Sequence, residues 1–199
     1  MRYALLALAL LLAGCRDPIP EVAGDISGHP LPRPVPRPDF VLTDMNGGSY
    51  DFGSRTRGRL TLLFFGYTHC PDVCPATMEN LGAVIRRMPA VERARLDVVF
   101  VTTDPERDTA ARLQQWLGRF DAEVVGLTGT IADVEAAQRA ARVGVAIRDT
   151  ASGNYALAHA AQVLVFSPDD SSHVAYPFGT RQASWAADIP KLLQRWTGS

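Results

Sequence analysis

The stretch Leu60-Thr61-Leu62-Leu63-Phe64-Phe65-Gly66-Tyr67-Thr68-His69-Cys70-Pro71-Asp72-Val73-Cys74-Pro75 decides the fold. Residues 60–65 form a near-continuous apolar run, the pattern of a strand buried on both faces. A short loop carrying two cysteines follows. Residues 76–88 then place Met78, Leu81, Ile85 and Met88 on one stripe, which predicts a helix. Two cysteines four apart across a turn into a helix bring their sulfurs close. One helical turn rises about 5.4 Å, within the roughly 4.4–6.8 Å Cα separation that a disulfide tolerates. Pro75 is expected as the first helical residue, with Cys74 as the cap. A cysteine at a helix N-terminus is expected to have a lowered pKa, because the helix dipole favours thiolate. Thiolate is both a nucleophile and a soft metal ligand. A pair of them suits Cu(I) but does not complete a structural zinc site, which needs about four protein ligands. A static structural disulfide is the plainer reading, but so short a loop gains little from closure.

Beyond this stretch, residues 40–42 and 49–52 flank Asn46-Gly47-Gly48, a hairpin signal. Residues 96–101 read as a second buried strand. Residues 109–120 read as a helix with Leu113, Trp116, Leu117 and Phe120 on one side. A short strand near Val124 and Val125, a helix over 131–143, strands at 145–148 and 163–166, and a closing helix over 184–196 complete the domain. Pro190 is a weak point in that last helix. Alternating strands and helices predict an α/β fold, a central mixed β-sheet flanked by helices with an N-terminal hairpin.

The N-terminal part reads differently. Residues 1–14 open with Arg2 and continue as an apolar run too short to span a bilayer, which needs roughly 20 residues. The run ends in Leu12-Ala13-Gly14-Cys15, which resembles the lipobox of bacterial lipoproteins. The resemblance implies cleavage before Cys15 and a lipid on its sulfur, hence an extracytoplasmic, membrane-anchored protein on the periplasmic side. Residues 15–38 hold seven of the 14 prolines, every second residue from Pro30 to Pro38 among them. They predict an extended tether that enters neither helix nor sheet, at roughly 3 Å per residue. The expected division is a lipoprotein signal peptide over 1–14, a lipidated Pro-rich tether over 15–38, and one domain over 39–199. With 47% hydrophobic residues the chain can fill one core, and its net charge of −1 argues against a nucleic-acid surface.

The cysteine loop resembles the copper-binding motif of the SCO/SenC proteins, two cysteines separated by three residues and followed by proline after an apolar strand. Residues 101–109, Val-Thr-Thr-Asp-Pro-Glu-Arg-Asp-Thr, and residues 155–166 are similar to two further segments of that family. The resemblance covers about residues 40–196. It implies a thioredoxin-like fold, in which the chemistry sits between the first buried strand and its helix. It implies binding of Cu(I) and Cu(II) through Cys70, Cys74 and His159, a redox disulfide between Cys70 and Cys74, and delivery of copper to the Cu(A)-bearing subunit of cytochrome c oxidase or another copper protein. The protein would then be a metallochaperone and not an enzyme. Ala158 and Ala160 replace the acidic residue and the serine or threonine that often flank the family's histidine, which leaves fewer groups to orient its ring. Asp104 is either an outer-sphere partner of the metal or part of helix-start chemistry with Pro105, Asp108 and Thr109. His69 borders the site, while His29 and His173 are not expected to be ligands.

The competing reading is a thiol–disulfide oxidoreductase that reduces the cysteines of a client protein. Thioredoxins place a proline directly before the strand facing the active site, whereas residues 159–162 are His-Ala-Ala-Gln. That favours a ligand over a substrate-docking surface. A peroxidase would need one activated cysteine rather than a close pair. A sensor would need a signalling partner.

Overall fold

A computed structural model describes residues 25–120, 122–148, 157–158 and 161–195. In chain order the elements are β1 (His29–Pro36), β2 (Val41–Asp44), β3 (Ser49–Asp51), α1 (Phe52–Thr56), β4 (Leu60–Gly66), α2 (Val73–Ile85), α3 (Ala90–Arg93), β5 (Leu96–Thr102), α4 (Ala110–Leu117), β6 (Val125–Thr128), α5 (Ile131–Ala140), β7 (Ile147–Arg148), β8 (Leu157–Ala158), β9 (Val163–Phe166), β10 (Ser171–Tyr176) and α6 (Gln182–Arg195). A 3-10 turn, Gly118–Phe120, extends α4. No described helix is long and apolar enough to cross a membrane.

Every residue of β4 is buried, because both of its faces are covered. Leu62 and Phe64 point to a core shared with Met78 and Leu81 of α2, Trp116 of α4 and Trp185 of α6. Leu63 and Phe65 point to the opposite core, with Val99 and Val101 of β5, Val134 and Ala137 of α5, and Phe52. The sheet is mixed, in the order β1-β10-β9-β4-β5-β6-β2-β3. β4, β5 and β6 run parallel, and β9 is antiparallel to β4. The expected α/β architecture is the observed one, and the expected hairpin is β2 and β3, paired from Val41↔Asp51 to Thr43↔Ser49.

The Pro-rich run departs from expectation. Residues expected in the tether form β1, an edge strand antiparallel to β10. Proline removes a backbone donor, but here it falls at alternate positions, so the intervening residues keep their N–H groups on one side of the strand. An edge strand needs donors on one side only, and Arg37 N–H, just beyond β1, donates to Asp170 O at 2.7 Å. Arg37 fastens the strand's end. Its buried guanidinium donates to Asp170 (2.8 Å), Thr56 (2.8 Å), Thr61 (3.1 Å), Arg59 O (3.0 Å) and Ser167 O (2.8 Å). The folded domain therefore begins before residue 39. β10 gives no strand signal in the sequence. Its Ser171-Ser172-His173 opening hides an alternation in which Ser172, Val174 and Tyr176 are buried. Helix α6 runs through Pro190 without a break.

Candidate metal centre

Helix α2 starts earlier than expected. Val73 is its first residue and Asp72 its N-cap, with no side-chain capping bond. Cys74 and Pro75 thus occupy the first turn, where the N–H that proline lacks has no intrahelical partner in any case. The loop before it folds back on itself through Cys70 N–H, which donates to Tyr67 O at 3.2 Å. Cys74 N–H, in the first turn of α2, donates to Cys70 Sγ at 3.3 Å. Cys74 is 0% exposed and Cys70 9%, and both are thiols with no disulfide between them. Gly66 makes room for this pair. A Cβ at that position would lie 2.8 Å from Cys74 Sγ and 2.9 Å from the Phe100 ring.

The expected fall in thiol pKa does not occur at Cys74. Its hydrogen bond with Cys70 and its burial push the thiol pKa up. The helix N-terminus favours a first thiolate, but two sulfurs in one dry pocket resist carrying two charges. Both protons leave readily only when a cation replaces them.

A buried carboxylate, Asp108, holds the loop in place. It accepts from Thr68 N–H (2.8 Å), Thr68 Oγ1 (2.6 Å) and Thr102 Oγ1 (2.7 Å). Thr103 N–H donates to Gly66 O at 2.6 Å. The ends of the parallel strands β4 and β5 are thereby tied together. Asp108 is not a helix cap, since Thr109 caps α4 by accepting from Arg112 N–H at 3.2 Å. The local sequence could not show its role, because Thr68 lies 40 residues away.

Asp104 is fully buried, pairs with Arg107, and its N–H donates to Thr102 Oγ1 at 2.9 Å. His69 is half-exposed, with Nδ1 3.3 Å from Thr68 Oγ1 and 3.6 Å from Asp108. One ligand atom each from His69, Asp104 and Asp108 lies within 4.8 Å of the others. Both acids already have partners, so the trio borders the thiols as a polar web. His173 Nε2 is 2.7 Å from Asp169 in the β9–β10 turn, and His29 lies on the edge strand. His159 and Cys15 lie outside the described residues. The strand that follows His159 is described: Val163 pairs with Phe64, two residues before Gly66.

Residues 31–194 match the family model SCO1/SenC. The chain belongs to the SCO1/SenC family. It is similar to Bradyrhizobium japonicum ScoI, solved with copper bound, at 33% identity and a TM-score of 0.69 over 77% of this chain and 97% of that one. It is also similar to apo Sco1 of Thermus thermophilus, at 28% identity and a TM-score of 0.75 over 85% and 99% of the two chains. Among named relatives, the mitochondrial protein SCO2 homolog of Mus musculus is 36% identical over 137 residues, 66% of this chain and 52% of the relative. This chain therefore spans about half of that relative's length. The fold of these structures is thioredoxin-like, as the sequence resemblance implied.

A pH dependence follows from the raised Cys74 pKa. The folded, reduced protein holds this proton more tightly than the unfolded chain does. Its stabilising effect is complete below the unfolded thiol value near 9 and is lost as pH rises through and above it. Urea midpoints of the reduced, metal-free protein should fall between about pH 8.5 and pH 10. The Cys74→Ser variant should lose much of that slope. An equal slope in the variant would show that Cys74 is not its source.

Proposed function

We propose that this protein is an extracytoplasmic copper chaperone, anchored by a lipid on Cys15. It binds copper through Cys70, Cys74 and His159 and delivers it to the Cu(A) centre of cytochrome c oxidase. The observation that carries this reading is the pair of buried thiols at the mouth of α2 in a chain of the SCO1/SenC family. The copper-bound state of Bradyrhizobium japonicum ScoI supports it.

The residues fit the cargo. Two soft sulfurs and one imidazole match Cu(I), and the same imidazole extends the set to Cu(II). Binding releases the two thiol protons, and the charge of the metal offsets the two thiolates left behind. Thr68, Asp108 and Thr103 keep the loop ordered before the metal arrives, so little ordering remains to be done on binding. The Asp104 carboxylate pairs with Arg107, and its backbone N–H donates to the Thr102 hydroxyl that Asp108 also engages. Without metal, Cys70 and Cys74 can form a disulfide, releasing two protons and two electrons to an oxidising disulfide in a client. A Cu(A) apo-site built from cysteines and histidines must be reduced before metal enters, so one exposed edge of this loop can serve both steps.

The thiol–disulfide oxidoreductase reading uses the same two sulfurs. Residues 159–162 are His-Ala-Ala-Gln, with no proline before β9 to form a substrate-docking surface, and that favours copper binding.

The reduced protein should take up one Cu(I) per chain. Cys70→Ser or Cys74→Ser should weaken binding at least about 100-fold, on the scale of a lost metal ligand or worse. His159→Ala should alter the visible thiolate-to-Cu(II) absorption. An unchanged spectrum and affinity in His159→Ala would place the third ligand elsewhere.

Deleting the protein should lower Cu(A)-type oxidase activity at limiting copper, and added copper should partly restore it. Rescue by added reductant alone would instead favour the oxidoreductase.

A further inference from the structure

The cysteine loop stands at the pole of the sheet where β4 and β5 end. The opposite pole, where those strands begin, collects residues 57–59, 86–95 and 191–195. These three segments carry eight basic side chains and one acidic one, Glu92. They meet in space. Arg95 donates to Leu193 O at 3.0 Å, and a shallow groove is lined by Gly58, Arg59, Leu60, Arg95, Leu192 and Leu193, with Pro168 at its edge. Arg57, Arg86, Arg87 and Arg95 are exposed. The neighbouring acids offset part of this charge: Asp97 pairs with Arg59 at 2.6 Å, Asp170 with Arg37 at 2.8 Å and Arg57 at 3.8 Å. A cationic excess remains on the arginines of the α2–β5 connection.

The described chain also starts at this pole. Asp25 pairs with Lys191 at 3.6 Å and with Arg195, at the C-terminal end of α6, and Ser27 N–H donates to Asp188 at 2.7 Å. The chain then rises along α6 and enters β1 level with Ala175, toward the cysteine pole. Cys15 therefore connects to the domain at the basic pole, through only ten residue steps. Ten steps reach at most about 35 Å.

We propose that the basic pole is a membrane-facing surface that rests on anionic phospholipid headgroups and turns the Cys70–Cys74 loop away from the bilayer. The proposal rests on the lipid anchor at Cys15 for its geometry, but the headgroup contact stands without it. Each basic residue near an anionic surface strengthens binding roughly fivefold. The attraction fades beyond about 8 Å at physiological salt, and the connection from Cys15 lets the pole come within that range. The length of β4 alone, seven residues, lifts the loop about 23 Å above the pole. A copper-accepting partner then presents its site on the aqueous side, standing off the membrane.

The test compares the full-length protein in vesicles of phosphatidylcholine alone and of phosphatidylcholine with about 30% phosphatidylglycerol, by hydrogen exchange. Amides of residues 86–95 should gain protection on the anionic vesicles, while residues 69–75 should exchange equally on both. Protection of 69–75, or no difference at 86–95, overturns the proposal. A chain beginning at residue 15 with Cys15→Ser retains every described residue and removes the anchor. It should sediment with the anionic vesicles, and Arg87→Glu with Arg93→Glu should weaken that binding at least about tenfold with an unchanged circular dichroism spectrum. Failure to sediment overturns the headgroup contact. Intact-mass analysis of the full-length protein reads the lipid on Cys15 separately, so the two ideas fail independently.

Discussion

The site depends on a buried carboxylate. Asp108 sits at the ends of two parallel strands, accepting two bonds from Thr68 in the loop just beyond β4 and one from Thr102, the last residue of β5. A carboxylate in a dry interior is unfavourable unless its lone pairs are filled, and hydrogen bonds to a charged group contribute roughly 1.5–3 kcal/mol each. The same bonds that keep Asp108 tolerable fix Thr68, and Thr68 fixes the loop that delivers Cys70 to the first turn of α2. Gly66 completes the constraint, because no larger side chain fits beside the Cys74 sulfur. Fold and site are therefore one construction: the strands that build the core also aim the thiols.

The electrostatics of the thiol pair favour the uncharged, protonated state when no cation is present. The hydrogen bond with Cys70 and burial raise the Cys74 pKa, so the pocket resists holding two free thiolates. A soft monovalent metal removes that conflict, because it supplies positive charge where two sulfurs converge. The pocket can thus exchange its protons for a cation, and the same two sulfurs can also be oxidised to a disulfide.

Much of this was legible in the sequence. The apolar run of β4 and β5, the 3.6-residue stripes of α2 and α4, and the Asn46-Gly47-Gly48 turn each carry a local signal that packing reinforces. The cysteine spacing located the site for the same reason. Three features escaped because their cause is not local. The prolines of β1 argue against a strand until it is known that only one edge is paired. The donors of Asp108 lie six and 40 residues away. The rise in the Cys74 pKa comes from its hydrogen bond with Cys70 and from burial, neither of which the helix dipole takes into account. His159 was assigned from family resemblance, and no spacing rule in the chain points to it.

Asp108→Asn removes the anion that holds the loop. It keeps the shape of the side chain but sets an amide N–H₂ against groups that donate. Hydrogen exchange should show faster opening at Thr68 and His69. Cu(I) competition with a chelator should show at least about tenfold weaker binding, the change expected when a supporting group of a metal site is lost. Unchanged exchange and unchanged Cu(I) affinity would contradict the account, since the loop would then be held by something other than Asp108.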